Sequence, residues 1–104
     1  MNIDLWEKVL WYTNCKKYFI PKMPLSDKIL YKKITEKFII NKFLETWIQR
    51  NQDDPIDILD DMLLKYSVWE RSAIDKNNSE LIKIYNTYTK TLIGIKNFIL
   101  KEMI

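Results

Sequence analysis

Five aspartates lie within nine residues near the middle of the chain, and they form the densest set of groups that could do chemistry. They are Asp53, Asp54, Asp57, Asp60 and Asp61. On a helix that starts at Pro55, Asp57 and Asp61 lie one turn apart and Asp60 lies beside them. Such a cluster could bind a hard cation or a basic protein, or it could mimic the phosphates of a nucleic acid.

The aspartates also have a purely structural explanation, which we favour for most of the cluster. An exposed Asp at a helix N-terminus gains ~0.3–1 kcal/mol from the helix macrodipole, and this accounts for Asp53, Asp54 and Asp57. Asp60 and Asp61 lie beyond the reach of that effect and remain candidates for contact with a protein. The spacing lacks the alternating carboxylates and the glycine of a calcium loop, so we expect no metal site.

Other kinds of chemistry are limited by residue types that are missing or rare. The chain has no histidine, one cysteine and one glycine, Cys15 and Gly94. The usual zinc ligand sets and the Ser–His or Cys–His nucleophile pairs therefore cannot be assembled, and neither can a glycine-rich phosphate loop. We expect a protein that is not an enzyme and holds no cofactor. A lone cysteine also fits a reducing compartment.

The N-terminal half of the chain is basic. Residues 1–52 carry ten Lys or Arg and five Asp or Glu, whereas residues 53–104 carry seven and nine. Lysines interleaved with aromatic residues suit single-stranded nucleic acid, although only two arginines are present for bidentate base contacts. A solvated lysine face is the alternative explanation. The candidate nucleic-acid-binding residues are Lys16, Lys17, Lys22, Lys28, Lys32 and Lys33.

The elements that position these residues are predicted to be helices. One glycine and three prolines leave few residues for tight turns, which favours a few long elements over a β-sandwich or barrel. The predicted fold class is all-α: a small antiparallel bundle of a short N-terminal helix and three longer helices, in a single domain over residues 1–104. Apolar periodicity places the helices at about 3–14, 27–49, 55–74 and 79–102.

The first connection contains two prolines three residues apart, which prevent a regular helix. We expect an extended strap over residues 18–25, with Phe19, Ile20 and Met23 lying against the core. Such an apolar segment could instead dock on a partner, but linkers of this kind usually cover the edge of a core.

The second predicted helix has two apolar rows, and an apolar sector that wide is contacted from two sides. The helix is therefore either central in the bundle or part of an interface. One row is Leu30, Ile34, Phe38, Leu44 and Ile48, and the other is Ile40, Phe43 and Trp47. Trp47 and Trp69, on the third helix, are possible anchors for a protein partner.

The last predicted helix carries an apolar stripe with spacings of four, three, four, three and four. The stripe is Leu81, Tyr85, Tyr88, Leu92, Ile95 and Ile99. A second row at Ile84, Thr91 and Phe98 favours the central helix of a bundle over a coiled coil, and a homodimer remains an alternative. Gly94 costs ~1 kcal/mol relative to Ala within a helix, which predicts the close approach of a neighbouring helix there.

No apolar run approaches the ~20 residues of a membrane span, and we expect a cytoplasmic protein that does not bind membranes. In size, composition and lack of catalytic groups the chain resembles the small accessory proteins of low-GC bacteria and their phages or plasmids. The resemblance implies a protein-binding module, such as an inhibitor, an anti-defence factor or an immunity factor, that blocks a macromolecular target. The expected contact surface is the acidic start of the third helix, and a nucleic-acid-binding regulator is the alternative.

Overall fold

The computed structural model of this protein describes residues 3–21, 24–50 and 54–103, and within them it contains helices and no strand. Helix α1 spans Ile3–Trp11 and continues into a π-helical turn at Tyr12–Lys16. The longer helices are α2 at Asp27–Gln49, α3 at Pro55–Asp75 and α4 at Ser79–Glu102. The all-α bundle of one short and three longer helices is confirmed. None of these helices is both long and apolar enough to cross a membrane.

Polar side chains at the start of each long helix determine where it begins. The side chains of Ser26, Asp54 and Asn78 each accept a hydrogen bond from a backbone N–H two or three residues ahead. Pro55 follows its cap at the first helical position, where a missing N–H costs nothing. Asn77 adopts a φ of 54° in the turn between α3 and α4, a conformation that Asn tolerates better than most residues.

The helices run in alternating directions. Asp60 pairs with Lys96, and Tyr66 packs against Tyr88, so α3 and α4 are antiparallel. Helix α1 and its π-helical turn run antiparallel to both α2 and α4, because early residues of α1 meet late residues of both. The contacts that establish this are Trp6 with Trp47, Asn14 with Lys37, Lys8 with Glu102, and Tyr12 with Phe98.

Helix α4 is the central element, as its two apolar rows predicted, and it contacts all three other helices. Leu92, Ile95 and Ile99 are fully buried, whereas Tyr85 and Tyr88 are only partly buried. The stripe therefore enters the core along its C-terminal half. The N-terminal half of α4 is more open to solvent.

Helix α2 buries one of its two apolar rows and leaves most of the other exposed. The row that includes Ile34, Phe38 and Ile48 leaves these three side chains more than half exposed, and only Leu44 of that row is buried. The core side of α2 is instead formed by Ile39, Ile40, Phe43, Leu44 and Trp47. Two apolar rows on one helix do not show which of them the neighbouring helices will cover.

The segment after the π-helical turn also differs from its prediction. Phe19 and Ile20 are exposed, and the buried residue is Tyr18, which is 4% exposed. Met23, the third expected contact, lies outside the described residues. The Tyr18 hydroxyl lies 2.6 Å from the point where a Cβ on Gly94 would be. The close approach predicted at Gly94 therefore exists, but a tyrosine side chain makes it and not a neighbouring helix.

Candidate partner-binding groove

Helix α1 covers only part of the surface between α2 and α4. It packs along their C-terminal halves, and Tyr18 meets α4 at Gly94. Beyond Tyr18, the N-terminal halves of α2 and α4 flank a groove of about 730 Å³. The groove is lined by residues between 28 and 36 of α2 and between 83 and 91 of α4, with Lys17 and Tyr18 at one end. We call this feature the basic groove.

The charges around the basic groove are strongly unbalanced. Glu36 is the acidic residue among its described lining residues, and five exposed lysines stand against it. Helix α2 supplies two of them and α4 supplies two more, so positive charge flanks the groove on both sides. These lysines are Lys17, Lys28, Lys32, Lys83 and Lys90. The net charge of the lining attracts an anionic partner.

The surface between the lysines is largely apolar. Ile29 from α2 and Ile84 from α4 present aliphatic side chains, and Thr35 and Thr91 are buried beside them. The Thr35 hydroxyl donates to the Tyr31 carbonyl oxygen at 2.8 Å, so that polar group has a partner within its own helix. An apolar floor between two charged rims is typical of protein grooves that bind amphipathic segments.

Tyr18 forms the end wall of the groove. Burial raises the pKa of its phenol well above the usual value, and the nearby Tyr12 hydroxyl and Glu36 carboxylate add to this effect. The Tyr12 ring packs edge-on against Tyr18, with centroids 5.8 Å apart. At neutral pH the end wall is therefore an uncharged hydroxyl held between two helices.

Half of the lysines predicted to bind nucleic acid lie in this groove. Lys17, Lys28 and Lys32 line it, whereas the Lys16 ammonium lies 5.1 Å from the centroid of the Trp11 ring. Lys33 is partly buried and is not among the lining residues. Lys22 lies outside the described residues.

Sequence reasoning missed the lysines that α4 contributes. Lys83 and Lys90 are about fifty residues from Lys32 in the chain, and no local pattern links them. Their spacing of seven does place them on one face of a helix. That spacing was a detectable signal, but only the packing of α4 beside α2 shows that the face borders the same groove.

The acidic cluster is less available to a partner than its composition suggested. Asp54 caps α3 by accepting a hydrogen bond from the Ile56 N–H at 2.7 Å. The Asp60 carboxylate accepts from Lys96 Nζ at 2.7 Å, and Asp61 lies 3.5 Å from Arg50.

The two aspartates that the helix macrodipole did not explain therefore have partners within the chain. Asp57 is exposed, and Asp53 lies outside the described residues. In the part of the chain that is described, no group of three or more His, Cys, Asp or Glu could hold a metal ion.

The two candidate tryptophan anchors have different environments. Trp47 is 2% exposed and packs against the rings of Trp6 and Phe43, so its side chain lies in the core of the bundle. Its apolar row on α2 is the one that the other helices cover. Trp69 is 42% exposed and lies edge-on to Tyr66, with the Lys65 ammonium 4.7 Å from its ring centroid. Trp69 remains accessible.

The fold and the groove define a small all-α bundle with a lysine-rimmed, apolar-floored surface. No protein-family model matches the chain, and neither a curated protein nor a solved structure is significantly similar to it. The argument about function therefore depends on the geometry and chemistry of the groove.

Proposed function

We propose that this chain is a non-enzymatic protein-binding module whose basic groove holds a segment of a macromolecular target. It would act as an inhibitor, an anti-defence factor or an immunity factor of a phage or mobile element, in the cytoplasm of a low-GC bacterium. The observation that carries the proposal is the apolar floor between two lysine rims. This surface replaces the acidic start of α3 as the expected contact site.

The composition of the groove favours binding over catalysis. Its described lining residues include a single carboxylate, Glu36, and neither a thiol nor an imidazole. The common catalytic pairs, such as two carboxylates or a nucleophile beside an imidazole base, are therefore not found among these residues. Lysine, threonine and isoleucine side chains instead supply positive charge and apolar contact area.

Affinity capture from a low-GC bacterial lysate, with and without nuclease, tests the proposal. The groove variant carries Lys28→Glu, Lys32→Glu and Lys90→Glu. The control variant carries Lys42→Glu, Lys76→Glu and Lys101→Glu, which change the net charge equally at exposed positions outside the basic groove.

We expect the wild type and the control variant to retain the same protein after nuclease treatment, and the groove variant to lose it. Capture that does not depend on the groove lysines, or that disappears with nuclease, contradicts the proposal.

Nucleic-acid binding is the second candidate function, and the excess of five lysines over one carboxylate among the described lining residues favours it. It requires that affinity for a labelled single-stranded oligonucleotide falls steeply with salt, with a log–log slope of about −0.7 for each phosphate contacted. Fluorescence anisotropy between 50 and 200 mM salt measures this slope, in a range where such changes are large. Binding that is absent or insensitive to salt removes this candidate.

A homodimer is a further candidate assembly, because one face of α2 exposes apolar side chains. Leu30, Ile34 and Phe38 lie on this face at spacings of four, and all three are exposed. Light scattering should then give a mass near twice 12.7 kDa. A mass of one chain excludes the dimer and leaves this face as an exposed surface of a monomer.

A further inference from the structure

The basic groove lies in line with α1, on the same surface between α2 and α4. Helix α1 has nine residues and is ~14 Å long, whereas α4 has 24 residues and is ~36 Å long. With its π-helical turn, α1 can therefore lie along little more than half of α4. Tyr18 marks the end of this contact at Gly94, and the groove begins on the other side of Tyr18.

The dimensions of the basic groove suit a short helix. Its described lining spans nine residues on α2 and nine on α4, which is ~12 Å from the first to the last residue or about two helical turns. A third helix packs between two others by placing its side chains into the grooves of both. An extended segment would instead leave backbone N–H groups facing Ile29 and Ile84, and the lining offers no strand edge to pair with them.

The lysines specify the charge of that helix. Lys28 and Lys32 form one rim at a spacing of four, and Lys83 and Lys90 form the other at a spacing of seven. A complementary helix has aliphatic residues at i, i+3 or i+4, and i+7 towards the floor. It has Asp or Glu on the two flanks that face the rims. Charge on both flanks also determines how the helix is rotated in the groove.

A nucleic acid fits the groove less well than such a helix. Base stacking requires exposed aromatic faces, and Tyr31 is the exposed aromatic residue among the described lining residues. Arginine, the usual residue for bidentate contacts to bases, is not among the described lining residues. The aliphatic floor has no role in binding phosphates, but it is what an amphipathic helix needs.

We propose that the basic groove binds an acidic amphipathic helix of a partner protein, about two to three turns long. The helix takes the position beyond Tyr18 that α1 is too short to fill. Its aliphatic face packs on Ile29 and Ile84, and its carboxylates pair with the lysines of both rims. This inference rests on the proposed protein-binding function and specifies the chemistry of the partner.

Selection from a displayed library of helix-forming 16-residue peptides with randomised surface positions tests the inference. The intact protein is the target. Enriched peptides should combine helical aliphatic spacing with Asp or Glu on both flanks, and they should gain helical circular dichroism on binding. Their affinity should fall by at least about tenfold in the groove variant and stay within about twofold in the control variant.

A second selection against the groove variant shows whether a loss of binding reflects charge and not misfolding. The inference predicts that this variant enriches aliphatic helices with Lys or Arg opposite the substituted positions. Recovery of such charge-swapped peptides requires a folded groove. Enrichment of the same acidic peptides by both proteins overturns the inference, because the lysines would then not select the partner.

Other results also overturn the inference. These are enriched peptides without acidic flanks, peptides that do not become helical, and no enrichment at all alongside lysine-dependent binding of a 20-nucleotide single strand. If lysate capture still depends on the groove in these cases, the protein-binding function stands and only the acidic helix is wrong. If acidic helices bind but lysate capture does not depend on the groove, the function fails and the groove chemistry stands.

Discussion

Helices α2 and α4 have different surroundings at their two ends. Towards their C-termini, α1 packs against both, and Trp47 and Ile99 are buried almost completely. Towards their N-termini, the same pair of helices is flanked by lysines, and Ile29 is half exposed. The difference follows from the shortness of α1. The covered half buries large side chains in the core, and the open half leaves the basic groove exposed to solvent.

The largest contrast between the two halves is expected from truncating one apolar side chain in each. Trp47→Ala in the covered half should lower the free energy of unfolding by ~3–5 kcal/mol, because it removes a buried ring and leaves a cavity. Ile29→Ala in the open half should change the free energy by no more than ~0.5 kcal/mol. Urea unfolding of both variants measures the two values. Equal losses would mean that the halves do not differ in this way.

Tyr18 and Gly94 meet at the boundary between the two halves, and substitutions at these two positions are expected to have coupled effects on stability. Gly94→Ala gains ~1 kcal/mol of helix propensity, but its Cβ would lie 2.6 Å from the Tyr18 hydroxyl, and overpacking of this kind costs ~1–3 kcal/mol. The single variant should therefore be destabilised.

In a Tyr18→Phe background the same substitution should stabilise the protein by up to ~1 kcal/mol. The next nearest atom of residue 18 is 3.9 Å away, an ordinary contact distance. Thermal or urea unfolding of all four proteins gives the coupling energy. Stabilisation by Gly94→Ala in the wild type would show that Tyr18 does not constrain this position.

The protein as a whole should also lose stability at high pH. Burial raises the pKa of Tyr18 above its usual value of 10.0, and burial also raises the pKa values of Tyr66 and Tyr88. Above pH 10 the unfolded chain releases these protons while the folded chain retains them. The free energy of unfolding therefore falls as pH rises, by at most ~1.4 kcal/mol per pH unit for each tyrosine.

Tyr18→Phe should make this alkaline decline less steep, and Tyr31→Phe, at an exposed position of the open half, is the matched control. Urea unfolding between pH 9 and 11, the range around the usual tyrosine pKa, measures the slopes. The same slope in wild type and Tyr18→Phe would show that Tyr18 does not retain its proton in the folded state.

The smallest effect on stability is expected from the groove lysines themselves. Replacing Lys28, Lys32 and Lys90 with glutamine removes like charges from the open half, so the free energy of unfolding should stay the same or rise by less than ~0.5 kcal/mol. Any gain should fade in concentrated salt, which screens exposed charges. A loss above ~1 kcal/mol would show that these lysines stabilise the fold, and the open half would then not be a surface reserved for binding.

The sequence was sufficient for features that depend on residues close together in the chain. Periodic apolar residues predicted the helices, and Ser26, Asp54 and Asn78, which cap three of them, are of the residue types that favour helix N-termini. A glycine within the stripe of α4 predicted a close approach at Gly94. Helix propensity, capping and side-chain spacing depend on residues three or four apart, so their effects can be inferred from the sequence alone.

Which side chains contact one another within the chain could be seen only in the folded structure. Trp47 lies in the core, and Tyr18 is buried where Phe19 was expected to be. The Asp60 carboxylate on α3 pairs with Lys96 on α4. Likewise Lys83 and Lys90 joined Lys28 and Lys32 only because α4 packs beside α2. Which of two apolar faces is covered depends on the length and direction of the neighbouring helix. That is a relation between distant segments, which no local pattern of residues contains.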